Sequence, residues 1–326
     1  MNIWPFVIKK LIGAIPLLLG VTLLAFLLMV YFGPDLTYEL LGKNPSQQDI
    51  DNIRTILGYD QPFIWRYINY LRELLTFDFG MSMMKDRPVI DMLTQAIPVS
   101  LLLMLPGFIL GNVLAIILAL KATQYRGLWP DKTIMTFAVI GMSVSFLVVI
   151  IAFQIIFSSS YGLDWFPVRG WNLTSQEGHF SLWQYLYHVS VPTLATLFVS
   201  LGYNTRFYRA VLVEEMNKDY ITTARASGHS TTRITYQFML KNAMIPIITR
   251  VMFSIPLIII SGSLLIESYF GIPGVGQITY DAIIAGDQAV LKAVIGLTSV
   301  LFVLVLLIAE IIYRVFDPRI DSRQAA

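Results

Sequence analysis

A polar stretch from Asp219 to Pro246 carries Arg225, His229, Arg233 and Lys241 around a core of small residues, Thr222, Thr223, Ala224, Ala226, Ser227 and Gly228. These types suit recognition rather than catalysis. Small side chains let another protein surface approach the backbone closely, while the flanking cations stay solvated. Sets that could catalyse are missing elsewhere in the chain. "GMSVSF", Gly141 to Phe146, lacks the second glycine of a nucleophile elbow, and no span carries a histidine to serve Ser143. A phosphate-cradling Gly-x-x-x-x-Gly-Lys-Ser/Thr loop is absent, so the energy for any work must come from a partner. His179, His188 and His229 are scattered and there is no cysteine. No catalytic residue, metal site or cofactor is therefore expected, and the chain is not read as an enzyme.

The stretch has the punctuation of two helices. Asp219 can cap the first, and Gly228 can end it in a left-handed conformation. Ser230 can cap the second, in which Ile234, Phe238 and Met239 or Leu240 recur at three- and four-residue spacing.

Long apolar blocks flank it. The 326 residues are 56% hydrophobic and 13% charged, with a mean hydropathy of +0.67, too apolar for a surface that must be wetted throughout. The chain is thus read as an all-α, polytopic integral membrane protein embedded in a lipid bilayer. Its net charge of +2 says little about partners, and no nucleic-acid partner is expected.

Six spans are expected. They cover Leu11 to Phe32, Ile97 to Leu120, Thr133 to Phe157, Val189 through Tyr203 toward Glu214, Pro246 to Ile266, and Leu291 to Tyr313. Lys9 and Lys10 before the first span, Lys121, Arg126 and Lys132 after the second, and Arg314, Arg319 and Arg323 after the last place both termini in the cytoplasm. Glu310 is counted as the exceptional ionisable residue in spans otherwise nearly free of them, which argues against an ion-coupled carrier. Residues 33–97 form a long polar segment with apolar positions at helical spacing, Ile53, Ile56 and Leu57, then Ile64, Tyr67, Ile68, Leu71, Leu74 and Leu75. Two compatible roles are open to this segment, an amphipathic element packed on the membrane face and a docking surface for an extracytoplasmic receptor. Trp165, Trp171, Trp183, Tyr185 and Tyr187 suit the headgroup belt. Glycine and proline crowd "ESYFGIPGVGQ", Glu267 to Gln277, forcing a tight backbone at the outer mouth that is either a plain turn or a gate lining.

Four of these stretches resemble one family. The polar stretch is similar to the Glu-Ala-Ala loop of binding-protein-dependent ABC importer permeases, with Thr222, Thr223 and Ala224 standing where that triplet stands and Gly228 matching its glycine. The run from Thr223 to Gly228, followed by Lys241, Asn242, Ala243 and Pro246, resembles the dipeptide, oligopeptide and nickel subfamily. So do the first span with Pro16 and its Gly-Pro-Asp exit, the segment Phe77 to Leu93 with Phe77 in place of a usual glycine, and Glu267, Phe270, Pro273, Gly274 and Gly276 as Glu-x-x-Phe-x-x-Pro-Gly-x-Gly.

The resemblance implies a type I importer permease of the B-type, multi-pass in a bacterial inner membrane. It also implies a homologous second permease as heterodimer partner, two cytoplasmic ATP-binding subunits and an extracytoplasmic solute-binding protein. Asp219, Tyr220, Thr222, Thr223, Ala224, Arg225, Ala226, Ser227 and Gly228 would then couple to the ATPase, and Glu267, Phe270, Pro273, Gly274 and Gly276 would line the periplasmic mouth. The organisation expected is 1–32 as first span, 33–97 as periplasmic amphipathic segment, and 98–326 as permease core with the coupling loop at 215–246. Dipeptides or oligopeptides are the substrate expected by family. Nickel or oligosaccharides through the same architecture, and a stand-alone ion-coupled carrier or channel, are the alternatives.

Overall fold

The computed structural model describes residues 3–33, 37, 41, 46–56, 58–174, 178–257 and 263–316. Expectations placed on Pro34, Asp35, Leu57, Arg319 and Arg323 lie outside them. Among the described residues the chain is helical, with only isolated bridges, Met81 to Pro88 and Thr174 to Phe180. In chain order the helices are α1 (Ile3–Phe32), α2 (Gln47–Ile56), α3 (Phe63–Thr76), α4 (Val89–Gln124), α5 (Trp129–Ser143), α6 (Phe146–Ser158), α7 (Leu182–Met216), α8 (Asp219–Ala226), α9 (Leu240–Leu257), α10 (Ser263–Phe270), α11 (Val275–Ala285) and α12 (Gln288–Phe316).

Five described stretches, Ile12–Tyr31, Val89–Gln124, Leu182–Met216, Thr231–Pro256 and Gln288–Tyr313, are long and apolar enough to cross a membrane. The expected third span differs. It is broken into α5 and α6, which bend by 101° at Val144 and Ser145, and makes a sixth span only if the pair is counted as one. Val144 and Ser145 take extended backbone angles, so the helical hydrogen-bond ladder stops there. Periodicity alone did not disclose the break, because apolar residues continue on both sides of it.

The chain divides into two compact units, 1–97 with 278–307, and 98–277 with 308–326. In the first, Phe26 of α1 stacks on Tyr70 of α3 at 5.2 Å between ring centroids, and Tyr67 shares a 2.9 Å hydrogen bond with Thr22. Tyr70 and Leu74 face α12, where a Cβ on Gly296 would lie 2.7 Å from Leu74 Cδ1. The expected apolar stripe of α3 is consequently split: Tyr70 and Leu74 are buried, whereas Ile64, Ile68 and Leu75 are exposed. The turn after α3 is pinned by Asp287. Its carboxylate accepts from Ser82 Oγ at 2.6 Å and caps α12 through the Val290 amide at 3.3 Å.

In the second unit α7 is central. A Cβ on Gly202 would lie 2.7 Å from Met142 N and 2.8 Å from Ala138 O, so α5 and α7 meet backbone to backbone. Gly141 stands opposite, which is the close helix packing expected of "GMSVSF". Arg209 of α7 grips Asp131 of α5 with two 2.6 Å hydrogen bonds from Nε and Nη2, and the same carboxylate accepts the Gly127 amide at 2.8 Å. Leu103, Val149, Ala195, Ile266 and Phe270 form an apolar core at one end of this unit. Leu120, Tyr208, Leu212 and Ile221 form another.

The spans carry more charge than expected. Arg250 lies inside the fifth span and Lys292 at the start of the sixth, so Glu310 is not the sole exception. Lys292 lines a polar cavity of about 700 Å³ in the first unit together with Asp51, Asp60 and Arg66, so this end-of-span charge lies among other polar and charged groups.

Candidate functional site

Helix α8 is held by its own apolar side. Ile221 is fully buried and Ala224 nearly so, against Leu120 of α4, Leu212 of α7 and Ala243 and Ile247 of α9. Burying Ile221 stabilises this seat by about 2 kcal/mol. The elbow leading into α8 is fixed by Glu215, buried at the end of α7, whose carboxylate accepts hydrogen bonds from Lys218 Nζ and from Tyr220 Oη. Burial, and then that bond to Glu215, push the Tyr220 hydroxyl up to about 12.

The candidate coupling residues are thereby sorted. Asp219, Thr222, Thr223, Arg225, Ala226, Ser227 and Gly228 are exposed, and Tyr220 is half-buried. Ala224 faces the protein's own core instead, so it anchors the helix and does not offer its methyl to a partner. Nor does Asp219 cap the helix. It stands in the first turn, where its charge still suits the helix dipole, and Lys218 occupies the cap position without a side-chain bond. Gly228 ends the segment at φ +77°, as expected, and nothing lies near where its Cβ would be.

Ser230 does cap the next helix, accepting from the Arg233 amide at 3.4 Å. That helix is α-helical only over Thr231–Arg233 before it becomes a π-helical turn, Ile234–Met239. The wider turn brings Ile234, Thr235 and Met239 inward and leaves Phe238 half-buried, which departs from the expected three-and-four spacing. A cavity of about 340 Å³ lies beneath, lined by Thr123, Gln124, Arg225, His229, Ile234 and Met239.

The Glu267–Gln277 segment is a packed corner. Glu267, Phe270, Gly274 and Gly276 are buried and Pro273 is exposed. Glu267 Oε2 accepts the amides of Gly276 at 2.7 Å and Gln277 at 3.1 Å, so a carboxylate from α10 caps the N-terminus of α11. Ser100 of α4 takes the preceding amide, Val275, at 2.8 Å. A Cβ on Gly274 would overlap the Glu267 carboxylate, and one on Gly276 would overlap the backbone of Ser263 and Leu264. Each spaced glycine of the motif is thus required by a different close approach. Gly271, at φ +64°, closes α10. Arg169 Nη2 donates to Ser268 O at 3.1 Å and the Gly170 amide to Phe270 O at 2.8 Å, giving the end of α10 both partners and positive charge. Burial outweighs the hydrogen bonds and raises the Glu267 carboxyl to about 7.

Sequence reasoning missed Glu215, Ser100 and Arg250. Ser100 acts on Val275, a residue brought near only by folding, whereas Glu215 acts on Lys218 and Tyr220 three and five residues on, where a local carboxylate–lysine spacing was the available signal. Arg250 was visible as a cation within an apolar run.

Residues 111–322 match the model of the family described as binding-protein-dependent transport system inner membrane component. Residues 3–104 match its N-terminal companion. A protein of Brucella abortus (strain 2308), named as a peptide transport system permease, is 32% identical over 96% of this chain and 98% of its own length. The glutathione transport system permease protein GsiC of Escherichia coli (strain K12) is 31% identical over 97% of this chain and 98% of its own. The chain belongs to the binding-protein-dependent transport system inner membrane components. It is a multi-pass inner-membrane permease subunit of an ABC importer, a transport component rather than an enzyme, working with a binding protein and an ATPase.

Proposed function

We propose that this chain forms one half of a peptide-translocating pathway, paired with a related second permease, above two ATPase subunits and beneath a solute-binding protein that delivers di- or oligopeptides. Both termini are cytoplasmic in this reading, residues 33–97 are periplasmic, and residues 98–326 form the permease core. The loop 215–246 seats in the ATPase, and the turn from Glu267 to Gly276 lines the outer mouth. The observation that carries it is a short helix clamped by Ile221 and Ala224 to the ends of α4, α7 and α9 while Thr222, Thr223, Arg225, Ala226, Ser227 and Gly228 remain open. A push on that face is transmitted to three spans at once, which is what ATP-driven alternating access requires. The names of the relatives support peptides as cargo.

Because the chain has no cysteine, one can be placed at Ser227 and another in the facing groove of the ATPase subunit. A disulfide cross-link in native membranes whose yield depends on ATP is expected. No cross-link at any of several groove positions, with both proteins inserted and expressed, would overturn the coupling role. Screening the binding protein with di- and oligopeptides, nickel and oligosaccharides tests the cargo.

A further inference from the structure

Arg250 is a cation in the wrong place for lipid. It lies about 14 Å along the helix axis from Lys241, inside the apolar stretch Thr231–Pro256, and it is exposed. Among the described residues no carboxylate pairs with it. Its guanidinium instead sits over the ring of Phe207 on α7, 5.5 Å from the centroid. Phe207 is itself exposed, as is Tyr203 one turn earlier on the same side of α7. Arg206 is exposed too, and its Nη1 donates to the sulfur of Met142 at 3.3 Å.

An intramembrane charge must face water or an opposite charge, because exposure to hydrocarbon costs several kcal/mol. The aromatic face holds one side of the guanidinium plane and leaves the edge donors free. Those donors form a planar fork matched to a carboxylate. An arginine with no acid paired to it among the described residues, over an open aromatic ring with a second open ring one turn away, attracts an anionic group carrying apolar bulk.

We propose that Arg250, steadied by Phe207, receives the carboxylate of the transported solute, so that this wall of the pathway favours solutes with a free carboxyl group. The proposal rests on the peptide-importer reading.

The test uses the assembled transporter in proteoliposomes with its binding protein, and two probes, trialanine and trialanine amide, each at a concentration that saturates the binding protein. Arg250→Gln is expected to lower trialanine uptake about tenfold, the worth of one charge-assisted hydrogen bond, while amide uptake and basal ATP turnover stay at the wild-type level. Arg250→Lys, which keeps the charge, should recover part of the loss. An equal fall for both probes in an intact complex would overturn the proposal in favour of a structural role. Loss of the second permease on purification would overturn it in favour of an ion pair between subunits. Unchanged trialanine uptake would overturn it outright. If the wild-type transporter moves neither probe, the peptide reading falls, and this proposal with it.

Discussion

The carboxylate of Glu267 occupies the space in which a side chain on Gly274 would stand, and from there its Oε2 accepts the amide hydrogen of Gly276 at 2.7 Å. One methyl group at residue 274 must therefore push the carboxylate off two amides or bend the turn. Gly274→Ala is expected to cost about 2 kcal/mol, the usual scale of overpacking. Pro273→Ala, at an exposed position, should cost much less. Thermal unfolding of the detergent-solubilised protein compares the two. Equal melting temperatures would show that Glu267 relocates freely.

The same carboxyl makes stability depend on pH. Its ordinary value of 4.5 is raised to about 7 by burial, so the folded state holds the proton more tightly than the unfolded chain. That contribution is complete below 4.5, is lost as pH rises toward 7, and is gone above it. The melting temperature of the wild type should fall across this window relative to Glu267→Gln, which keeps an acceptor for the two amides and has no proton to lose. Parallel curves would place the titration elsewhere.

Phe77 ends α3 at φ 56°, donating its amide to Glu73 O. The left-handed region costs a residue with a Cβ about 1 kcal/mol or more, and half of this side chain is solvated. Phe77→Gly is expected to raise stability by about 1 kcal/mol, less what the edge contact with Phe79 contributes. Denaturation in mild detergent measures it, and a lower midpoint would show that the ring contact outweighs the backbone.

Asp131 and Arg209 join α5 to α7 through paired 2.6 Å bonds, with the aspartate side chain only 5% exposed. Arg209→Ala leaves that carboxylate buried without its ion-pair partner, keeping only the Gly127 amide as hydrogen-bond donor, at a cost of about 3 kcal/mol. Asp131→Asn with Arg209→Ala should be less destabilised than Arg209→Ala by itself. A double-mutant cycle read by thermal unfolding settles the sign.

Much of this was legible in the chain. Apolar runs of span length, cations near their ends, and the capping residues Ser230 and Gly228 act locally, through hydrogen bonds a few residues apart and through solvent, so sequence order discloses them. The motif residues Glu267, Gly274 and Gly276 were legible as a pattern. Their reason was not, since it lies in a carboxylate reaching across a turn to amides that only the folded corner brings within 3.1 Å. The inward face of Ala224, the π-helical turn at Ile234–Met239, the 101° break at Val144 and Ser145, and the stacking of Arg250 on Phe207 likewise depend on which helices meet. Composition sets how strongly each segment seeks an apolar surrounding, but the choice of which face turns inward belongs to the neighbours that packing supplies.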